Sequence, residues 1–170
     1  LAIVQFELLL GRTQIYRRSN DLDAYIADAR MAEAIARRDQ DDHRRARALI
    51  ALADRLSWRG QFDEALAALE TAQELATQCG DPKLIARVAV TRGLHAANTT
   101  DYRNLGDLAR TALQLCREAG DTSGEGECLT GLATSEQSAG ETDAARQHLL
   151  EALAIFRSTG DRGNEGIALN

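Results

Sequence analysis

The chain has 170 residues, a formal net charge of −6, and a hydrophobic content of 44% in which aromatic residues are scarce. The acidic balance argues against a nucleic-acid binder that is held by neutralised phosphates. No apolar run approaches the ~18 residues that a membrane-spanning helix needs. A single proline, together with an apolar content dominated by Ala and Leu, excludes an all-β fold and indicates an all-α one.

Turn signals recur along the chain with a period of forty residues. Gly-Asp occurs at 80–81, 120–121 and 160–161, and Gln40-Asp41 stands in the same phase. Positions 32, 72, 112 and 152 are all Ala. This repetition predicts a single array of four repeats, which are residues 1–40, 41–80, 81–120 and 121–160, followed by a partial fifth at 161–170. Because the chain starts without Met and stops inside a repeat, we expect a piece of a longer protein.

Each repeat divides into two predicted helices. A second turn signal lies midway through every repeat, at residues 19–21, 59–61, 99–101 and 139–141. Between these turns the apolar residues recur at helical spacing. Gly is suited to end the second helix of a repeat, and the following Asp is suited to cap the first helix of the next. The predicted fold is therefore an all-α solenoid of about four antiparallel helix pairs and the start of a fifth.

The stretch GDTSGEGECL at 120–129 has the glycine content of a phosphate-binding loop. It lacks the Lys-Ser/Thr of a P-loop, and Leu129 stands where a dinucleotide-binding loop would place its third glycine. It also occupies the same phase as the Gly-Asp joints at 80–81 and 160–161. We therefore predict a joint between two helices. Gly126 and Gly166 are expected to be small residues at which neighbouring helices approach closely.

The repeat resembles the tetratricopeptide repeat (TPR). In the second repeat the family pattern is filled by Leu49, Leu52, Ala53, Gly60, Phe62, Ala65, Leu69 and Ala72. In the fourth repeat it is filled by Leu129, Leu132, Ala133, Gly140, Ala145, Leu149 and Ala152. The third and first repeats match it less fully. The period is forty residues rather than about 34, and Gly-Asp replaces the closing proline. Long repeats of this kind are similar to those in large bacterial signalling and transcription regulators.

The resemblance implies a right-handed superhelix whose first helices line a concave groove for a protein or peptide. Transferring the family's inward-facing positions to this chain gives a set of candidate partner-binding residues. They are Gln14, Arg17, Arg47, Asp54, Trp58, Arg87, Asn98, Glu127 and Thr134. Arg47 and Arg87 recur in phase and could bind partner carboxylates in a bidentate manner. Trp58 is either an anchor in the groove or a core residue, and the sequence leaves both open.

We expect a non-catalytic, cytoplasmic interaction module without cofactor or metal. The three histidines share no helical phase and no Cys/His cluster supplies a metal site. The three cysteines are scattered and odd in number, which favours reduced thiols. An open C-terminal repeat could also support self-association. Two alternatives remain: an effector-sensing or autoinhibitory domain of a signalling ATPase or transcription regulator, and a structural oligomerisation unit.

Overall fold

The computed structural model describes residues 2–19 and 21–169, without the side chains of Gln14 and of residues 17–19. The described chain is helical throughout its repeats and divides into two compact halves. The N-terminal half is Leu1–Leu84 and the C-terminal half is Ile85–Asn170. Each half is described by itself below.

The N-terminal half contains the first two repeats as four helices. These are α1 (Ala2–Ser19), α2 (Leu22–Arg38), α3 (Asp42–Trp58) and α4 (Phe62–Cys79). Each of these helices packs on the one before it in the chain. Because the connecting turns are only a few residues long, successive helices run back alongside each other, as in helical hairpins. The helix boundaries fall at the turn signals of the sequence.

The C-terminal half contains the third and fourth repeats and a short final helix. Its helices are α5 (Pro82–Asn98), α6 (Tyr102–Ala119), α7 (Thr122–Ala139), α8 (Thr142–Thr159) and α9 (Arg162–Ala168). Helices α6 to α9 pack consecutively. Ala86 and Val90 of α5 join the core that α6, α7 and α8 form. The predicted helix pairs are thus present in both halves.

The turns use the chemistry that the sequence predicted. Gly120 ends α6 in the left-handed conformation with φ of 68°, where a residue without Cβ has little steric cost. The Asp121 carboxylate then accepts a hydrogen bond from the Gly124 backbone N–H and caps α7. GDTSGEGECL is therefore a helix joint. Gln40 takes the same left-handed position in the first repeat, with φ of 55°.

Alanines form the centre of the helix contacts in all four repeats. Ala32, Ala72, Ala112 and Ala152 are each fully buried. A methyl group lets neighbouring helices approach closely, and the larger residues beside it fill the remaining space. The repeated alanine column of the sequence is therefore a packing feature.

Gly126 and Gly166 were both predicted to lie where neighbouring helices approach closely, and the structure confirms this only for Gly126. A Cβ placed on Gly126 would lie 2.6 Å from Cε1 of Phe156, so α7 and α8 meet there as predicted. Nothing lies within 4 Å of a Cβ placed on Gly166, so the prediction for that residue was wrong. Gly166 belongs to the final helix, which packs chiefly on α8.

Candidate functional site

The exposed face of α1 and α3 carries the candidate residues of the N-terminal half. On α3, Arg47, Asp54 and Trp58 follow each other at spacings that place them along one side of a helix. Glu7 of α1 reaches the same surface, since it bonds to Arg47. We call this surface the first-helix face. Gln14 and Arg17 of α1 lie outside the described side chains, so their predicted role stays a prediction.

Arg47 is engaged within the chain. Its two terminal nitrogens donate to the two carboxylate oxygens of Glu7 at 2.8 and 3.1 Å. Its guanidinium also lies 5.5 Å from the ring centroid of the buried Phe6. The hydrogen bonds from Arg47 hold the pKa of Glu7 below its ordinary value, although the partial burial of Glu7 opposes this. Arg47 therefore links α1 to α3, across one full repeat.

Asp54 and Trp58 surround a buried arginine. The Arg55 guanidinium donates twice to Oδ2 of Asp54, at 3.0 and 2.6 Å. It lies 5.2 Å from the ring centroid of Tyr25 and 5.7 Å from that of Trp58. The other carboxylate oxygen of Asp54, Oδ1, is buried without a hydrogen-bond partner. Trp58 is 56% exposed, which excludes the core alternative for this residue.

The C-terminal half repeats the arginine–carboxylate link between its own first helices, α5 and α7. Nη1 of Arg87 lies 3.2 Å from Glu127 and 3.4 Å from Asp121. Burial alone would lower the pKa of Arg87, but the charges of Glu127 and Asp121 outweigh it and raise that pKa above its ordinary value. Only 9% of the Glu127 side chain is exposed, so this pair is more enclosed than Glu7–Arg47.

The remaining candidates contribute polar groups without charge. Asn98 lies half-buried near the end of α5. Thr134 is half-buried on α7, and its hydroxyl donates to the Thr130 carbonyl at 3.0 Å. A threonine hydroxyl that donates to the carbonyl four residues earlier uses its proton within its own helix, so it does not offer that proton to a partner. Partner binding by these residues remains a prediction.

One position of the forty-residue repeat forms ion pairs between neighbouring repeats, and the sequence analysis did not predict these pairs. Positions 7, 47, 87 and 127 read Glu, Arg, Arg and Glu. Within each half, the glutamate of one repeat binds the arginine of the adjacent repeat. The signal was present, because residues forty apart occupy equivalent places on neighbouring repeats. Reading the column for opposite charges would have predicted both pairs.

The cysteines, possible metal ligands and possible membrane-spanning helices were also considered for the described residues. Cys79, Cys116 and Cys128 are free, Cys79 exposed and the other two buried. Cys116 and Cys128 are buried and hydrogen-bonded to each other, and this bond together with burial raises the pKa of Cys128. In the part of the chain that the structure describes, no cluster of three His, Cys, Asp or Glu side chains could hold a metal ion. None of the described helices has the length and apolarity to cross a membrane.

A cavity of about 340 Å³ opens between α2, α3 and α4 in the N-terminal half. Leu49 and Leu52 form its apolar floor, and Arg30, Glu33 and Glu64 are among its polar lining. Arg30 of α2 and Glu64 of α4 bond across it at 2.6 Å. None of the residues predicted to bind a partner lines this cavity.

Residues 84–158 match the family model of the tetratricopeptide repeat. They span α5 to α8 almost completely, which is the region whose helices the sequence assigned to the third and fourth repeats. A comparison with curated proteins finds no match to this chain.

Solved structures share the fold over nearly the whole chain. Aspartyl phosphate phosphatase F from Bacillus subtilis is 16% identical, with a TM-score of 0.78 over 99% of this chain and 44% of its own. A signal transduction ATPase with numerous domains and a tetratricopeptide repeat sensor, from Pyrococcus horikoshii, is 17% identical. It matches with a TM-score of 0.74 over 98% of this chain and 25% of its own. BtubC from P. vanneervenii is 15% identical, with a TM-score of 0.70 over 94% of this chain and 66% of its own.

The chain thus spans less than two thirds of each of these proteins, and the likenesses concern the fold. Both the all-α helical-repeat fold and the resemblance to the tetratricopeptide repeat are confirmed. The chain is a helical repeat protein, and its residues 84–158 match the tetratricopeptide repeat.

Proposed function

We propose that this chain is a non-catalytic interaction module that binds a protein or peptide segment along the exposed side of its first helices. The observation that carries the proposal is Trp58, a large aromatic side chain that is 56% exposed on α3. Exposed tryptophans beside polar groups are frequent anchors of protein interfaces. Tetratricopeptide repeats generally form protein-interaction surfaces, which supports the same function.

The parent protein is proposed to be a regulator. One of the similar structures is named as a signal transduction ATPase, and another is named as an aspartyl phosphate phosphatase. The chain covers only part of each, so what it would share with them is the repeat array. In such a protein the array would select the partner while other parts carry out the chemistry.

The proposal is tested by capturing partners from a lysate of the source organism with the immobilised chain. The Trp58→Ala variant removes the exposed anchor, and Leu66→Ala is its control. Leu66 is 40% exposed on the second helix α4, so the control removes a comparable apolar surface from a different side. We expect a protein that the wild type and Leu66→Ala retain and that Trp58→Ala loses. Equal capture by all three chains would contradict the proposal.

A sensor that binds a small effector is the second candidate. It is favoured by the cavity of about 340 Å³ between α2, α3 and α4 and by the fold shared with a protein whose repeats are called a sensor. The cavity is shallow and largely open to solvent, so a small effector would lie against it and not inside it. A compound that binds there would raise the thermal unfolding temperature of the wild-type chain. The same compound would raise the unfolding temperature of the Leu52→Phe variant less, because the larger side chain fills part of the cavity.

A further inference from the structure

One side of α1 is apolar and open to solvent. Val4, Leu8 and Ile15 are 62%, 63% and 64% exposed, and Gly11 is exposed between them. Their spacing of three or four residues places all four along one side of the helix. We call this surface the open face of α1. A contiguous stripe of exposed apolar side chains is typical of a binding surface.

The equivalent face of α3 is covered by the second helix that precedes it. Ala48 stands forty residues after Leu8 and is fully buried. It belongs to one buried cluster with Ala32, Ile35 and Ala36 of α2. Since α2 and α3 pack on each other, the position that is exposed in α1 is part of a contact between helices in α3.

The first helices α7 and α9 of the C-terminal half use the same face. Cys128 of α7, which takes the place of Leu8, is 4% exposed and hydrogen-bonded to Cys116 of α6. In α9 that place is taken by Ala168, which is 6% exposed and belongs to the core that includes residues of α8. Helices α3, α7 and α9 thus pack through this face on the second helix before them, and in α1 the face is open.

Gly11 gives the open face a feature that a second helix would use. A glycine inside a helix lowers its stability relative to alanine, and no atom of the described residues lies within 4 Å of a Cβ placed on Gly11. Its counterpart in α7, Gly131, has a packing role. A Cβ placed there would lie 3.3 Å from Cδ1 of Leu105 and 3.5 Å from Cβ of Ala109, both on α6. A glycine at this place therefore lets a second helix approach closely.

We propose that the open face of α1 binds an amphipathic helix of a partner, with an apolar stripe containing small residues like those that α2 and α6 present to the next first helix. The bound helix would continue an interface that the chain already forms between α2 and α3 and between α6 and α7. In a second copy of the chain, α2, α6 and α8 already pack on the first helix that follows them, so these helices have no free stripe to offer. The inference is independent of the proposed function, whose anchor Trp58 lies on α3.

The test joins a second helix to the chain in the register of the repeat. A copy of residues 22–41 is placed directly before Ala2, so that the copied Asp41 takes the place of Leu1. The added helix then precedes α1 as α2 precedes α3. Amide hydrogen exchange in α1, measured by mass spectrometry, is expected to slow roughly tenfold, because the added contacts must open before α1 does. A second chain carries a copy of residues 102–121 and tests α6 in the same way.

Two changes in α1 assign the slower exchange to the open face. Leu8→Asp is expected to abolish it, and to change little in the chain without an added helix, where Leu8 is exposed. Gly11→Ala is expected to slow exchange in the chain without an added helix, because alanine favours the helical state. In the joined chain the same change should reduce the gain from the added helix, because the new methyl group lies where that helix approaches.

A matched control concerns the added helix. In the copy of residues 22–41, the residues that correspond to Ala32, Ile35 and Ala36 are replaced by glutamine. This copy keeps the length and the charge of the added helix and loses its apolar stripe. It is expected to leave the exchange of α1 unchanged.

Three results would overturn the inference. The first is unchanged exchange in α1 with both added helices, and the second is slower exchange that persists in Leu8→Asp. The third is a dimer of the chain without an added helix, seen by analytical ultracentrifugation, that Leu8→Asp dissociates, since the face would then belong to a second copy. The proposed function is decided separately, by the capture experiment with Trp58→Ala and Leu66→Ala.

Discussion

The two halves of the chain each contain a contact between a phenyl ring and a small residue. The ring comes from the first helix of the pair in the N-terminal half and from the second helix in the C-terminal half. In the N-terminal half Phe6 of α1 and Ala36 of α2 belong to one buried cluster. In the C-terminal half the equivalent positions are Gly126 of α7 and Phe156 of α8, and a Cβ on Gly126 would collide with the ring. The first and fourth repeats therefore each hold one phenyl ring and one small residue, in opposite order. In these two repeats either helix can supply the ring.

The order of the two charged residues in the ion pairs is also reversed between the halves. The N-terminal half places Glu before Arg in the column of positions 7 and 47, and the C-terminal half places Arg before Glu in positions 87 and 127. The two pairs differ in exposure. Glu7 and Arg47 are 49% and 37% exposed, whereas Glu127 is only 9% exposed. Ion pairs gain strength as solvent is excluded, so the same contact should stabilise the two halves unequally.

The largest effect is expected from removing either phenyl ring. Phe6 and Phe156 are almost fully buried, so each change to Ala should lower the free energy of unfolding by about 3–5 kcal/mol. Urea denaturation followed by circular dichroism measures it. Ile15→Ala is the control, because Ile15 is 64% exposed and its loss should matter little. A small effect of either phenylalanine would show that its half does not depend on the ring.

A smaller effect is expected from Gly126→Ala. The new methyl group would meet Cε1 of Phe156 at 2.6 Å and Cγ2 of Ile155 at 3.2 Å. Such overpacking costs about 1–3 kcal/mol. In a Phe156→Ala background the ring is absent, so the same change should be nearly neutral there. A cost that is equal in both backgrounds would mean that the strain does not come from the ring.

The next smaller effect is expected from breaking the arginine–glutamate pairs, and its size should differ between the two halves. Arg87→Ala leaves the enclosed Glu127 without its main donor, and we expect a loss of roughly 1.5–3 kcal/mol. Arg47→Ala breaks a largely exposed pair, and we expect a loss of at most about 1 kcal/mol. Urea denaturation of both variants at equal ionic strength gives the comparison. Equal losses would contradict the role assigned to burial.

The smallest effect concerns acid pH and the N-terminal pair. The pKa of Glu7 is lowered in the folded chain, chiefly by the hydrogen bonds from Arg47. A carboxylate of this kind stabilises the fold above its ordinary pKa, and the contribution is lost as the pH falls through the lowered value. Wild type should therefore exceed Glu7→Gln in urea midpoint at pH 6, and the difference should shrink as the pH falls below the ordinary pKa of a glutamate. A difference that grows toward acid pH would contradict the assignment.

The sequence predicted the helices because each turn is encoded locally. At the joints between repeats, a glycine or Gln40 in the left-handed conformation and the aspartate after it determine where one helix ends and the next begins. The alanines at positions 32, 72, 112 and 152 predicted where helices contact each other, because a small side chain at the same place in every repeat permits close packing. Gly166 was misassigned because a small residue marks a close approach only where another helix faces it.

The site was less predictable from the sequence. The phase of Arg47 and Arg87 placed them on the first helices, but it did not reveal that Glu7 and Glu127 already satisfy them. The exposure of Trp58 and the unpaired Oδ1 of Asp54 depend on how Arg55 packs against Tyr25. These features arise from contacts between helices, which a residue's own position does not disclose.

The most direct test of the account places a photo-crosslinking amino acid at position 58 in one chain and at position 66 in another. Position 58 lies on the first helix α3 and position 66 on the second helix α4 of the same repeat. Both chains are irradiated in lysate of the source organism. We predict a discrete protein adduct from position 58 that position 66 does not give. An adduct from position 66 alone, or identical adducts from both, would contradict the placement of the binding surface on the first helices.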